Sequence, residues 1–203
     1  MICSSKKSVE VEEPIIPVGY PGNKSSLENS GSGNSCPIRY GPMRILQLAE
    51  AGNVLEFEQL IREKPMQLLV RNNRGRTAAH HAALHNQVGI LRVIEDCKGD
   101  IGVLDDEGNS PLLIAVKSEA VDCIHYLLQN RAFPGMLNKK SQAALHLAAE
   151  CGKVKSLETL AQYFYLLDVN QPGDRGRTPL HLACINDHFE CVKILESLPL
   201  IIF

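Results

Sequence analysis

Hydrophobic residues recur in a fixed order along most of the chain, from about residue 44 to residue 197. Segments with small residues alternate with segments whose large aliphatic residues are three or four positions apart, as on one face of a helix. The first kind is marked by an alanine column, Ala82, Ala115, Ala148 and Ala183, whose members are 33, 33 and 35 residues apart. A period of this length predicts helix pairs stacked in a solenoid rather than one closed globule.

A helix start precedes each alanine of this column. The predicted caps and the prolines at the first helical position are Thr77, Ser110 with Pro111, and Thr178 with Pro179. In the fourth unit Ala143 and Ala144 occupy the cap and proline positions. Because the loss of a threonine cap costs about 1 kcal/mol, we expect this unit to be locally the weakest.

The composition divides the chain into three parts. Residues 1–40 are rich in Ser, Gly, Pro, Glu and Asn and are predicted to form a disordered tail. Residues 41–197 carry the repeats, whose predicted units are about 44–70, 71–103, 104–136, 137–171 and 172–197. Residues 198–203 are apolar, where a terminal repeat needs a polar outer face, so they are predicted to be a truncated end.

The last unit has the most specific motif. Gly176-Arg177-Thr178-Pro179-Leu180-His181-Leu182-Ala183, followed by Val192-Lys193-Ile194-Leu195, resembles an ankyrin repeat. The resemblance implies an all-α fold, an ankyrin-repeat α-solenoid of helix–turn–helix–hairpin units. It also implies a structural role for the histidine column His80, His146 and His181, in which histidine and threonine hydrogen-bond at the helix start.

A narrower resemblance is carried by deviations from the general repeat pattern. The stretches 75–92, 138–157 and 181–191 are similar to the cytoplasmic arm of the transient receptor potential channels of the ankyrin (TRPA) subfamily. This implies a regulatory and interaction arm of a non-selective, tetrameric cation channel that serves sensory transduction and ion transport at a membrane. The chain has five repeats and no membrane helices, so we expect a fragment or truncated product without a pore. The alternative is a free-standing cytoplasmic ankyrin-repeat adaptor that binds other proteins.

Composition excludes several other classes. The net charge is −2 and the chain contains no Trp, which argues against a nucleic-acid partner. No segment approaches the roughly 20 apolar residues of a membrane helix, so this chain is not expected to insert into a membrane. Seven cysteines, an odd number without an N-terminal signal sequence, indicate free thiols in a reducing compartment.

The histidines and cysteines offer two kinds of chemistry, metal binding and thiol reactivity. His181, Cys184, His188 and Cys191 are soft ligands close in sequence, but each has a packing role in the repeat, so no metal and no cofactor is predicted. Cys97 is the candidate reactive thiol because Lys98 follows it. The other cysteines of the repeats, Cys123, Cys151, Cys184 and Cys191, are predicted to be small core residues.

The polar turns between units are the candidate partner-binding site. The residues assigned to it are Arg74, Arg76, Glu107, Asn109, Lys140, Gln142, Arg175 and Arg177. Two arginines beside a tight turn can bind anions, and they can also pair with neighbouring acids.

No nucleophile, base and orienting group share a local motif, so no catalytic residue is assigned and the chain is not expected to be an enzyme. The expected partners are other proteins or other parts of the same channel, as a tetramer only if the full channel is present.

Overall fold

The computed structural model describes residues 43–198, so the predicted tail at 1–40 and residues 199–203 of the predicted end lie outside the described residues. Ten α-helices occupy this range: α1 Met43–Ala51, α2 Val54–Glu63, α3 Ala78–Leu84, α4 Val88–Asp96, α5 Pro111–Ser118, α6 Val121–Gln129, α7 Ala144–Glu150, α8 Val154–Ala161, α9 Pro179–Ile185 and α10 Phe189–Ser197. Short 3₁₀ helices lie at Pro65–Leu69, Phe164–Leu166 and Asp174–Gly176. One helix pair lies in each predicted unit, whose exact limits stay a prediction.

The helices stack in two parallel rows. The inner row runs α1, α3, α5, α7, α9, and each member packs against the next. The outer row runs α2, α4, α6, α8, α10 in the same way, and each outer helix also packs against the inner helix of its own pair. Helices of seven to ten residues are marginal alone in water, so this mutual burial is what stabilises them. The predicted all-α solenoid is confirmed.

Small side chains on the inner row allow the close approach of these helices. Ala82, Ala115, Ala148 and Ala183 are each 0% exposed. Both rows also supply large buried side chains: Ile45, Leu112 and Leu113 from the inner row, and Phe57, Ile90, Leu91, Ile124, Leu127, Leu157 and Leu160 from the outer row. A continuous apolar core therefore runs between the two rows.

A left-handed residue turns the chain between the two helices of every pair. The residues with this positive φ are Gly52, Asn86, Glu119, Gly152 and Asp187. The next residue then donates its N–H back to the carbonyl of the alanine column, as His188 does to Ala183 at 2.9 Å and Ala120 to Ala115 at 2.9 Å. This bond to a carbonyl five residues earlier fits a Schellman-type helix end, which keeps the second helix antiparallel to the first.

The missing cap of α7 gives the first testable prediction. Ala143 has the extended backbone of Thr77 and Thr178, and its N–H donates to Nδ1 of His146 at 3.3 Å, but it has no side-chain oxygen. We expect Ala143→Thr to raise the free energy of unfolding by about 1 kcal/mol. Urea denaturation measures this change. Thr77→Ala is the reciprocal control and should lower it by a similar amount; a destabilised A143T would show that the buried site has no room for the hydroxyl.

Within residues 43–198, no helix has both the length and the apolar character needed to cross a membrane.

Candidate protein-interaction site

Four hairpin turns connect consecutive helix pairs. We number them 1 to 4: Asn72–Arg76, Asp105–Asn109, Asn138–Gln142 and Gly173–Arg177. In each turn the N–H of the first residue donates to the carbonyl of the last, at distances between 2.8 and 3.0 Å. No β-strand is formed at these turns or elsewhere between residues 43 and 198. The hairpin that the family resemblance implies is therefore a tight turn, in which the carbonyl of the first residue also accepts the N–H of the fourth.

A column of Asn and Asp residues shapes turns 1 to 3. The side-chain oxygen at the first position accepts the backbone N–H groups two and four residues later, in turns that begin at Asn72, Asp105 and Asn138. The sequence analysis missed these residues. The sequence does contain a signal for them. Asn and Asp favour turns because their side chains accept these backbone hydrogen bonds, and the three residues recur every 33 positions. Gly173 occupies the fourth position and has no such side chain.

Asp105 carries a buried charge in turn 2. Its side chain is 1% exposed and forms an ion pair with Arg76 of turn 1, at 3.3 Å between Oδ2 and Nε. Burial alone would raise the pKa of Asp105, but the hydrogen bonds from Asn109, Arg76 and Glu107 outweigh it, so the pKa lies below its ordinary value. The carboxylate is therefore ionised at neutral pH and joins two consecutive units.

Backbone and side-chain bonds also connect turns 1 to 3 directly. The N–H of Asp106 donates to the carbonyl of Arg74, and that of Lys139 to the carbonyl of Glu107, both at 3.0 Å. Nδ2 of Asn138 donates to Oδ1 of Asn109 at 2.9 Å. These bonds make the three turns one connected surface.

The histidine column supports the helix starts. His80 is 0% exposed, and its Nε2–H donates to the carbonyl of Asn109 at 3.0 Å, so Nδ1 accepts the N–H of Thr77 at 3.1 Å. Burial lowers the pKa of His80, and the carbonyl of Asn109 only partly opposes that shift. Both ring nitrogens of the neutral imidazole are used, which is a structural role. The equivalent position in the third unit is Leu113, also buried.

Acid is expected to destabilise the stack through His80. An unfolded histidine has a pKa of about 6.5 and the folded one a lower pKa, so below about pH 6.5 the unfolded state binds more protons and stability falls. We expect His80→Leu to lower the free energy of unfolding at pH 7.5 by about 1–3 kcal/mol, because it leaves the buried N–H of Thr77 without an acceptor and removes the imidazole bond to the Asn109 carbonyl, which keeps its bond from the Asp105 N–H. We also expect it to weaken the pH dependence between 7.5 and 5.5. Thermal melts at both pH values measure this. The exposed His85→Gln is the control, and an H80L profile as steep as that of the wild type would contradict the assignment.

The imidazole groups of His146 and His181 have fewer hydrogen-bond partners than that of His80. Nδ1 of His146 accepts the N–H of Ala143, but its buried Nε2 has no hydrogen-bond partner among the described residues. Burial lowers the pKa of His146; the carbonyls of Arg177 and Gln171 oppose this shift, although neither reaches Nε2 with hydrogen-bond geometry. His181 is exposed and bonds to the hydroxyl of Thr178 at 2.7 Å.

The structure places the predicted partner-binding residues on two levels. Arg74, Glu107, Lys140 and Arg175 are exposed at the ends of the turns, and Arg76, Gln142 and Arg177 are half-buried behind them. Asn109 is 6% exposed and its amide bonds to Asp105 and Asn138. Its side chain is part of the internal network, so we leave it out of the proposed partner surface and keep the other seven.

The cysteines differ from their prediction in part. Cys123 and Cys191 are buried, and burial raises the pKa of the Cys123 thiol to about 12. Cys184 is exposed and Cys151 half-exposed, so the prediction that they are core residues was wrong. Cys184 follows the buried Ala183 in α9, and within the described residues no further helix pair covers its face of the stack.

No group of three or more potential metal ligands comes together between residues 43 and 198. Among the four soft ligands that are close in sequence, His181 is exposed, Cys191 is 0% exposed, and Nε2 of His188 lies 3.1 Å from the carbonyl of Glu150. Cys97 is exposed and lines an apolar groove of 480 Å³ together with Arg71 and Lys98. Its reactivity stays a prediction.

Comparison with known proteins agrees with this architecture. The family model for ankyrin repeats matches three times, at residues 45–138, 87–171 and 130–198. The chain is 48% identical over 181 residues, 89% of its length, to the transient receptor potential cation channel subfamily A member 1 of Drosophila melanogaster. It is 29% identical over 118 residues, 57% of its length, to the Homo sapiens channel of the same name.

The chain spans only 15% of the Drosophila protein and 10% of the human one. A probable E3 ubiquitin-protein ligase of Oryza sativa, XBOS32, is 28% identical over 198 residues, which is 97% of this chain and 37% of the ligase. The chain is thus similar in sequence to proteins of different descriptions. The chain belongs to the ankyrin-repeat family.

Proposed function

We propose that this chain is a cytoplasmic interaction and regulatory arm of a TRPA-like non-selective cation channel. The observation that carries the proposal is the 48% identity to the Drosophila channel over 89% of this chain. The pore and its ion transport would belong to other parts of such a channel. The proposed partners are other proteins or other parts of the channel, which would be a tetramer when complete. An ankyrin-repeat scaffold of this kind needs no catalytic residue.

Contacts between units supply the mechanical link that an arm requires. Turns 1 to 3 are joined by the bonds described above. On the outer row, the hydroxyl of Tyr126 donates to Glu95, and the hydroxyl of Tyr163 lies 3.0 Å from Nδ1 of His125. The hydroxyl of Ser156, 0% exposed, donates to the carbonyl of Val116 at 2.8 Å. A displacement at one end would therefore be passed on by packed neighbours rather than absorbed in a loop.

A chimeric channel tests the proposal. The stretch of the Drosophila channel that matches this chain is replaced by the chain's own repeats, and stimulus-evoked currents are recorded in cells. We expect currents close to those of the parent channel. The control chimera carries an unrelated ankyrin stack with the same number of repeats and should lose the response. Equal currents from both chimeras would show that any ankyrin stack suffices, which would contradict a TRPA-specific role.

The second candidate is a free-standing cytoplasmic adaptor that binds another protein through the hairpin turns. The similarity to the plant ligase over 97% of this chain favours it, since ankyrin stacks also occur outside channels. Sequencing the complete transcript separates the two candidates. Membrane helices in the same reading frame would establish the channel, and a stop codon after Phe203 together with a stable protein in cells would establish the adaptor.

A further inference from the structure

Turn 4 is not connected to turn 3 in the way that turns 1 to 3 are connected to each other. The equivalent backbone bond would join the N–H of Asp174 to the carbonyl of Lys140, and no such bond is formed. Gly173 replaces the Asn or Asp that reaches the preceding turn. The step in the repeat is also 35 residues here instead of 33. Turn 4 is therefore held by helix packing and by the bond from Nε2 of Gln171, just before the turn, to the carbonyl of Gly135 at 2.8 Å, and not by bonds between the turns themselves.

A cleft of 380 Å³ lies at this break, which we call the 3–4 cleft. It is lined by Lys139, Lys140, Ser141, Gln142, His146, Glu150, Asp174, Arg177 and Leu182. Its lining is about half polar, whereas the lining of the groove beside Cys97 is mostly apolar. Its position between two turns of the proposed partner surface makes it accessible to a protein segment lying across them.

The carboxylates that line the 3–4 cleft have partners, whereas its cationic side chains form no ion pair with a described residue. Glu150 accepts a hydrogen bond from Gln142, and Asp174 pairs with Arg175 at 3.7 Å. Lys139, Lys140 and Arg177 form no ion pair with any described residue. By contrast Arg76, which occupies the position of Arg177 in turn 1, is paired with Asp105. Three cationic side chains therefore line the cleft without a carboxylate partner among the described residues.

The floor of the cleft holds an unused hydrogen-bond donor. His146 is 1% exposed and has a partner for Nδ1 but none for its Nε2–H. The backbone of Gly173 covers this atom so closely that a Cβ on Gly173 would lie 2.8 Å from Nε2. A displacement of the Gly173 backbone would bring this donor within reach of a group inside the cleft. A buried donor without an acceptor is costly, so an acceptor that arrives there is bound favourably.

We propose that the 3–4 cleft binds a carboxylate side chain, Asp or Glu, of a protein partner. The three free cations attract the negative group and the His146 Nε2–H donates to it at the floor. A dianionic phosphate fits less well, because the carboxylates of Glu150 and Asp174 also line the cleft and repel a second charge. This inference rests on the proposed function, in which the turns bind protein, and it specifies the chemistry of the bound residue.

Peptide binding to the full chain tests the inference. The probe is a fluorescein-labelled heptapeptide with three central Glu residues between Gly and Ser, measured by fluorescence anisotropy at low ionic strength. The comparison probe has Gln in place of Glu. We expect Lys140→Gln and Arg177→Gln each to weaken binding about threefold to fivefold, as for the loss of one partly exposed ion pair. Asp174→Asn should strengthen it, and Lys155→Gln, an exposed lysine of α8 outside the cleft, is the matched control.

A second readout reports the floor of the cleft. In NMR spectra of the imidazole groups, the His146 resonances should shift on addition of the Glu peptide and not of the Gln peptide. Equal binding of the two peptides, an effect of K155Q as large as that of K140Q, or displacement of the peptide by inorganic phosphate at lower concentration than by free glutamate would each overturn the proposal. The chimeric channel keeps the two proposals distinct: normal currents in a chimera, with no peptide binding, would reject the cleft and leave the channel arm in place.

Discussion

Replacing Asp105 with alanine is expected to lower the free energy of unfolding by about 3 kcal/mol, because it removes a buried acceptor from several donors at once. The N–H groups of Glu107 and Asn109 and the guanidinium of Arg76 would all lose their partner. Urea denaturation followed by circular dichroism measures the change. The ion pair spans two units, so hydrogen exchange should also become faster in turns 1 and 2.

Asparagine at the same position separates the turn from the charge. Asn72 and Asn138 accept the equivalent backbone bonds in turns 1 and 3, so D105N keeps the backbone bonds of the turn and loses the ion pair with Arg76 and the bond from the Asn109 amide. We expect D105N to lower the free energy of unfolding by about 2 kcal/mol, less than D105A, because it removes charge-assisted bonds to a buried carboxylate. The folded pKa of Asp105 is depressed, so its stabilisation is present above the unfolded pKa of about 3.9 and is lost as the pH falls through the folded value. The gap between wild type and D105N should therefore narrow below about pH 4. If D105N were as damaging as D105A, the ion pair would outweigh the turn bonds.

Ala148→Leu is expected to destabilise the stack by about 1–3 kcal/mol through overpacking. Ala148 is 0% exposed on α7, which packs between α5 and α9, and three additional carbon atoms have no space there. Because the units contact only their neighbours, the loss should be local. Hydrogen exchange should become faster in α5, α7 and α9 and stay unchanged in α1.

Ala51→Leu is the matched control for this substitution. Ala51 is exposed at the end of α1, so the same added side chain should change stability by less than about 0.5 kcal/mol. Thermal denaturation compares the two variants directly. An unchanged melting temperature for A148L would mean that the alanine column does not face the neighbouring units, contrary to the packing described here.

The missing bonds between turns 3 and 4 show that the repeat units are not structurally equivalent. The sequence has a histidine at positions 80 and 146 alike, and the motif assigns both the same role. In the structure His80 has partners on both ring nitrogens and His146 on one, because the acceptor for Nε2 comes from the next turn and turn 4 is built differently. Two histidines at the same position of the motif therefore differ in the hydrogen-bond partners of their imidazole groups.

The sequence alone determined the helix pairs, their order and the small-residue face, because each depends on local periodicity and on caps that act within a few residues. Ala82 and Ala148 could be assigned to the interior for this reason. The tertiary structure decided which polar groups meet. The pairing of Arg76 with Asp105, the burial of Asn109 and the exposure of Cys184 each depend on the neighbouring unit, and a residue's own repeat does not encode what its neighbour places against it.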